Sequence, residues 1–310
     1  MAVTDILKPQ PRSGRLRETL RQIRKNGSAY LFLAPGLIHF MIFTLFAVSF
    51  AFFISFHEWN IIRPEKPYVG LENYLRLFQD KRFLRAVINT FTFMVGVPLN
   101  LISGLAVALL LNTKVRGQAI FRTMFYIPTI TPLVVSAIIW KWVYQGDYGL
   151  LNYYLLKVGI IQEKIFWLAD PDLALPALIL MGIWGGTGST MVIYLAGLQS
   201  IPEEMYDAAK VDGANLWQRL LYVTIPLLRP TTFFLFITGI IGAFQIFTEV
   251  YIMTNGGPLN RTTTIGYYLY INAFREFEMG YATAMAFVLF AMIFIFTLIQ
   301  WKYTRGDVEY

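Results

Sequence analysis

Residues 206–226 read YDAAKVDGANLWQRLLYVTIP. Upstream, Ser200 and Glu203 are spaced as a capping box with Ser200 as N-cap, and Pro202 is tolerated in a first helical turn. A helix is therefore expected through Met205, Tyr206, Ala208 and Ala209, and Gly213 fits the left-handed residue that ends it. Asn215 can cap a second short helix through Trp217, Leu220, Leu221 and Val223, with Pro226 and Pro230 closing the segment. The pattern is helix, glycine turn, helix, lying at a membrane surface. Two readings follow from it. One is an interfacial amphipathic hairpin without a partner. The other is a docking element, favoured by the small face of Ala208 and Ala209. Its bases Lys210, Arg219 and Arg229 are outnumbered by Glu203, Glu204, Asp207 and Asp212, so attraction to anionic lipid is not its evident purpose.

The membrane enters because of what flanks this loop (199–230). The chain is 56% hydrophobic and 15% charged, whereas soluble domains are roughly 25% charged. A bilayer core needs about 20 apolar residues in a helix. Segments 29–56, 86–111, 123–144, 175–198, 231–253 and 282–303 qualify, the third weakened by Pro128 and Pro132. The expected fold is all-α: a polytopic membrane protein with six transmembrane helices. Its permease domain covers 29–303, between an N-terminal arm (1–28) and a tail (304–310). The arm holds Lys8, Arg12, Arg15, Arg17, Arg21, Arg24 and Lys25 against only Asp5 and Glu18. Lys114, Arg116 and Arg122 follow the second span with no acid between them. The excess of bases on these segments places both termini in the cytoplasm by the positive-inside rule. It also explains the net charge of +7 without a nucleic-acid partner. The arm is too long, and the run after it too extended, for a cleaved signal peptide.

Asp207-Ala208-Ala209, then Gly213, then nine residues, then Val223-Thr224-Ile225-Pro226 resembles the EAA loop of ABC importer permeases. That pattern is Glu-Ala-Ala, three residues, Gly, nine residues, Ile-x-Leu-Pro. Asp207, Val223 and Ile225 are conservative departures with the spacing intact. Further stretches at 89–93 (NTFTF), 108–128 (ALLLNTKVRGQAIFRTMFYIP), 195–215 (LAGLQSIPEEMYDAAKVDGAN) and 253–264 (MTNGGPLNRTTT) resemble the carbohydrate-uptake branch, which takes up di- and oligosaccharides and glycerol phosphates and includes the maltose-type permeases. The resemblance covers roughly 29–303. It implies a type I ABC importer permease fold in a bacterial or archaeal inner membrane. It also implies a second homologous permease subunit, two ATP-binding subunits and an extracellular solute-binding protein. ATP and Mg would sit on the partner ATPase, and no cofactor on this chain. Tyr206, Asp207, Ala208, Ala209, Asp212, Gly213 and Ala214 would form the coupling helix seated in the ATPase.

A solute path needs polar groups inside the bilayer, where they face the protein interior or a cavity. Thr238, Gly242, Gln245 and Glu249 recur at helical steps on the fifth span, flanked by Phe244 and Thr248. Asn89, Thr92, Gly96, Asn100 and Ser103 make a similar stripe on the second span; Gly182, Gly186 and Ser189 do so on the fourth, with Trp184 and Thr187 nearby. Small and polar residues also serve helix packing, the favoured reading for the second and fourth spans. In the family the fifth span contributes to a sugar site, and Gln245 falls at an amide-bearing position of that segment. Glu249 suits either the path or an outer gate, and Phe244, Trp184 and Tyr251 either stack on a sugar or pack.

Other chemistry is disfavoured. Residues 185–190 (GGTGST) lack the Gly-Lys-Ser/Thr of a P-loop and lie within a span. His39 and His57 are the only histidines and cysteine is absent, so neither a metal site nor a catalytic site is expected. Arg305-Gly306-Asp307 reads as a solvated tail. The rival classes are an ion-coupled secondary transporter, for which Glu249 is the candidate intramembrane carboxylate, and a receptor or assembly subunit that transports nothing.

Overall fold

Pro35 lies inside the first apolar helix, where it removes one backbone donor, and a wider turn begins five residues later at Phe40. In the computed structural model, which describes residues 27–113 and 116–304, α1 (Gly27–His39) passes through the wide turn Phe40–Phe46 into α2 (Ala47–Ser55). The chain divides into two units, Met1–Ile54 and Ser55–Tyr310. In the first, the side chains from Leu31 to Phe53 are nearly all exposed, as suits a helix whose solvent is lipid. Its helical run Leu31–Ser55 is 25 residues, roughly 37 Å at 1.5 Å per residue, enough to cross a bilayer. The basic arm from Lys8 to Lys25, Lys114, and Arg305-Gly306-Asp307 lie outside the described residues.

The second unit begins with α3 (Glu72–Gln79), α4 (Lys81–Phe93) and α5 (Gly96–Leu111). Asp80 separates α3 from α4. Its Oδ1 caps α4 by accepting the backbone N–H groups of Arg82 and Phe83 at 2.8 and 3.3 Å. Its Oδ2 accepts the hydroxyls of Tyr268 and Tyr281, both at 2.7 Å. Burial works to raise the Asp80 pKa, but these hydrogen bonds outweigh it and hold the carboxyl below its usual value. Burial, and then its bond to the Asp80 carboxylate, push the Tyr268 hydroxyl up. Arg76 lies over the Tyr281 ring at 4.1 Å and pairs with Glu278 at 2.8 Å.

Next come α6 (Gln118–Ile130), α7 (Leu133–Val143) and α8 (Leu150–Lys157). The expected third span is not straight: α6 and α7 meet at 97°. Thr131 and Pro132 adopt extended backbone between them, because a proline drives its predecessor out of the helical region. Lys141 on α7 donates to the carbonyl of Ile252 at 3.1 Å.

The longest internal helix is α9 (Ala174–Gln199). A Cβ added to Gly104 of α5 would sit 2.4 Å from Thr190 Cγ2, one on Gly186 would meet the Asn100 amide at 2.7 Å, and one on Gly188 would meet the Phe125 carbonyl at 2.4 Å. The stretch that superficially suggests a phosphate loop is thus a crossing point for three helices. Asn100 donates to the Ile183 carbonyl and accepts the Thr190 hydroxyl, at 3.1 and 2.6 Å. Ser103 bonds Thr187 at 2.8 Å, and Thr129 donates to the Gly185 carbonyl at 2.8 Å.

After α10 (Glu203–Val211) the chain runs through α11 (Leu216–Arg219), a wide turn (Leu220–Thr224) and α12 (Ile225–Leu227) into α13 (Arg229–Phe244), with a 64° bend before α13. A further wide turn (Val250–Thr254), α14 (Ile265–Tyr270), the turn Ile271–Arg275 and α15 (Met279–Thr304) complete it. No strand occurs among the described residues. Among the described residues, four helical runs are each long and apolar enough to cross a membrane, or up to six if each bent pair is one span.

Candidate functional site: an intramembrane cavity and a projecting loop

The fifth span departs from its sequence reading. Thr238, Gly242, Gln245 and Glu249 do not share one continuous helix, because α13 stops at Phe244 and Gln245 closes only a tight turn onto the Gly242 carbonyl. The break is made from outside the segment. The Thr264 hydroxyl donates to the Ile246 carbonyl at 2.7 Å, and Gly266 permits close approach, its added Cβ falling 3.1 Å from the same oxygen. A carbonyl released from the helix is thereby satisfied.

Beside this break lies a cavity of about 460 Å³ between α4, α5, α9 and α13. Thr238, Gly242 and Glu249 line it together with Asn100, Ser189 and Thr190. Gly182 and Gly242 each have open space where a side chain would be, and both border the cavity. Among the described residues Glu249 is the sole ionisable one in the lining, which holds no lysine, arginine or histidine. Among the described residues its carboxylate has no side-chain partner.

The other residues expected on a path are placed elsewhere. Phe244 is fully buried in the core, edge-on to Phe91 and Phe296 at 5.7 and 5.5 Å. Trp184 packs edge-on to Trp140 at 5.5 Å, and Thr187 is held by Ser103. Gln245 and Thr248 are outside the lining, and Tyr251 stacks on Phe247 at 5.4 Å. On the second span, Asn89 donates to the carbonyls of Asn260 and Thr263 at 2.9 and 2.8 Å. It pins the 255–264 loop, and no sequence spacing reveals that partner.

The loop at 199–230 differs at its start. Ser200 does not cap α10; its hydroxyl turns back to the Gly197 carbonyl at 2.8 Å as α9 ends. Pro202, with φ −58° and ψ 137°, takes the N-cap position and offers no side-chain acceptor. Gly213 adopts φ +78°, and Asn215 forms a capping box with Gln218. Tyr206 on α10 bonds Thr224 at 3.1 Å, tying the two halves together. Asp207, Ala208, Asp212 and Gly213 are exposed, while Ala209 and Ala214 are half-buried. Asp207 pairs with Lys210 at 2.8 Å. Val211, Leu216, Trp217 and Tyr222 are 88%, 76%, 73% and 76% exposed, large apolar side chains left uncovered on a polar loop.

Residues 96–304, which contain the loop and all of the cavity lining but Phe93, match the family of binding-protein-dependent transport system inner membrane components. The chain belongs to this family. It is 40% identical over 94% of its length, and 94% of the relative's, to a probable ABC transporter permease protein, YesP, of Bacillus subtilis. It is 35% identical to the trehalose/maltose transport system permease protein MalF of Thermococcus litoralis, over 89% of this chain and 93% of that one. It is 36% identical to the lactose transport system permease protein LacF of Rhizobium radiobacter, over 90% and 94%. In structure it resembles a chain of a bacterial ABC transporter involved in import of the acidic polysaccharide alginate. The TM-score is 0.82 at 23% identity, covering 94% of this chain and all of that one. The type I importer permease fold follows, and this protein is a multi-pass membrane permease.

Proposed function

We propose that this permease passes a saccharide inward, received from an extracellular solute-binding protein, by alternating access in a complex with a second homologous permease and two ATP-binding subunits. The carrying observation is the cavity beside the broken fifth span. Its volume lies in the range of small-molecule sites, roughly 300–1,000 Å³, and its wall mixes apolar side chains with hydroxyl, amide and carboxyl groups. Relatives named for trehalose/maltose and lactose transport support a di- or oligosaccharide-like solute. ATP and Mg belong to the partner subunits, and this chain binds no cofactor of its own. ATP binding closes the partner ATPases and moves the loop that holds Gly213. That motion turns the cavity outward to receive solute, and hydrolysis resets it. The distribution of bases supports cytoplasmic termini in a bacterial or archaeal inner membrane.

The test is reconstitution of the complete complex in liposomes, with ATPase activity measured with and without binding protein. Stimulation by loaded binding protein, and uptake only with ATP, is the expected result. Uptake driven by an ion gradient without ATP would instead favour a secondary transporter using Glu249.

A further inference from the structure

We infer that Glu249 sets the charge selectivity of this cavity, admitting neutral or cationic saccharides and repelling anionic ones such as uronates. The inference rests on the reading of the cavity as the solute path. Among the described residues Glu249 is the only ionisable one lining it, and no basic side chain shares that lining; Lys141 on α7 is bonded to the Ile252 carbonyl. The remaining polar wall, from Asn100, Ser189, Thr190 and Thr238, consists of uncharged hydrogen-bonding groups suited to sugar hydroxyls. A carboxylate without a counter-ion inside a bilayer is retained at a cost, which marks it as functional. In a partly desolvated cavity its field acts across the whole width.

Charge selection can be read without knowing the solute, because the chain contains no cysteine. Thr238→Cys places a single thiol in the cavity of the full complex in nanodiscs, and the same complex without that substitution corrects for partner-chain thiols. Modification rates are compared for a cationic and an anionic methanethiosulfonate of similar size, the trimethylammonium-ethyl and sulfonato-ethyl reagents. The cationic reagent is expected to react faster, and Glu249→Gln to reduce the ratio by about tenfold. Glu249→Asp, which keeps the charge, is expected to preserve most of the preference and guards against a merely structural effect. A ratio unchanged by Glu249→Gln, or a thiol inaccessible to both reagents, overturns the inference. Maltose and lactose uptake by the reconstituted complex is measured in parallel. A charge-dependent ratio with no ATP-driven uptake of either sugar would count against saccharide import while leaving charge selection standing.

Discussion

Close helix crossing depends on a few positions where any side chain is too large. Gly104 is the tightest of those joining α5 to α9: an added Cβ would meet Thr190 Cγ2 and Cβ at 2.4 and 2.7 Å, with the Met191 backbone N at 3.2 Å. Rotating the Thr190 side chain moves Cγ2 but not Cβ at 2.7 Å, so the helices must part. Gly104→Ala is expected to destabilise the protein by about 1–3 kcal/mol, the usual cost of overpacking. A lowered unfolding midpoint in detergent would show it. Thr190→Ser removes Cγ2 but keeps the hydroxyl that Asn100 accepts, so adding it should recover part of the loss. A double variant no more stable than Gly104→Ala would mean that the clash lies elsewhere. Gly182, also glycine on α9, has open space around it, and the same substitution there should cost little by packing.

At the scale of elements, the Asp80 cluster joins the start of α4 to Tyr268 on α14 and Tyr281 on α15. The Asp80 carboxyl is held below its unfolded value. Its stabilising contribution is therefore present above the unfolded pKa, near 4, and is lost as pH falls through the lower folded value. Asp80→Asn keeps a helix cap but removes the charge that Tyr268 and Tyr281 donate to. The variant is expected to unfold at lower temperature at pH 7 and to lose less than the wild type on acidification from pH 5 to 3. Identical pH dependence of the two proteins would remove Asp80 from the acid response.

The same scale shows what the sequence makes legible. Gly213 and Asn215 carry their own instructions, a left-handed backbone and a local cap, and both occupy the positions read from residue type alone. Pro128 and Pro132 announce that the third segment is interrupted, though not that it bends by 97°. The break after Phe244 has no local signal. Gln245, Ile246 and Phe247 are all compatible with helix, and the interruption is stabilised by Thr264, eighteen residues away. Ser200 misleads for the converse reason: its capping spacing is correct, but the preceding helix runs on to Gln199 and claims it. Of the residues expected on a solute path, those that line the cavity were marked by polarity within a span. Phe244 was removed by packing that periodicity does not reveal.

For the whole molecule, the account joins two separated features, a cavity within the membrane and a loop outside it. The loop and all of the cavity lining but Phe93 lie within the stretch that matches the transport family. The loop is braced internally by Tyr206 and Thr224 and leaves Val211, Leu216, Trp217 and Tyr222 uncovered. Gly213 itself has open space within 4 Å of an added Cβ and a φ of +78°. A large side chain there carries a local backbone cost of roughly 1–2 kcal/mol and projects away from the protein. In the proposed function this loop transmits ATP hydrolysis to the spans. The direct measurement is binding-protein-stimulated ATPase activity and solute uptake by the reconstituted complex carrying Gly213→Trp. The account predicts that the permease remains folded in the membrane while the ATPase either dissociates or hydrolyses ATP without transport. Normal ATPase association together with normal coupled uptake would contradict it.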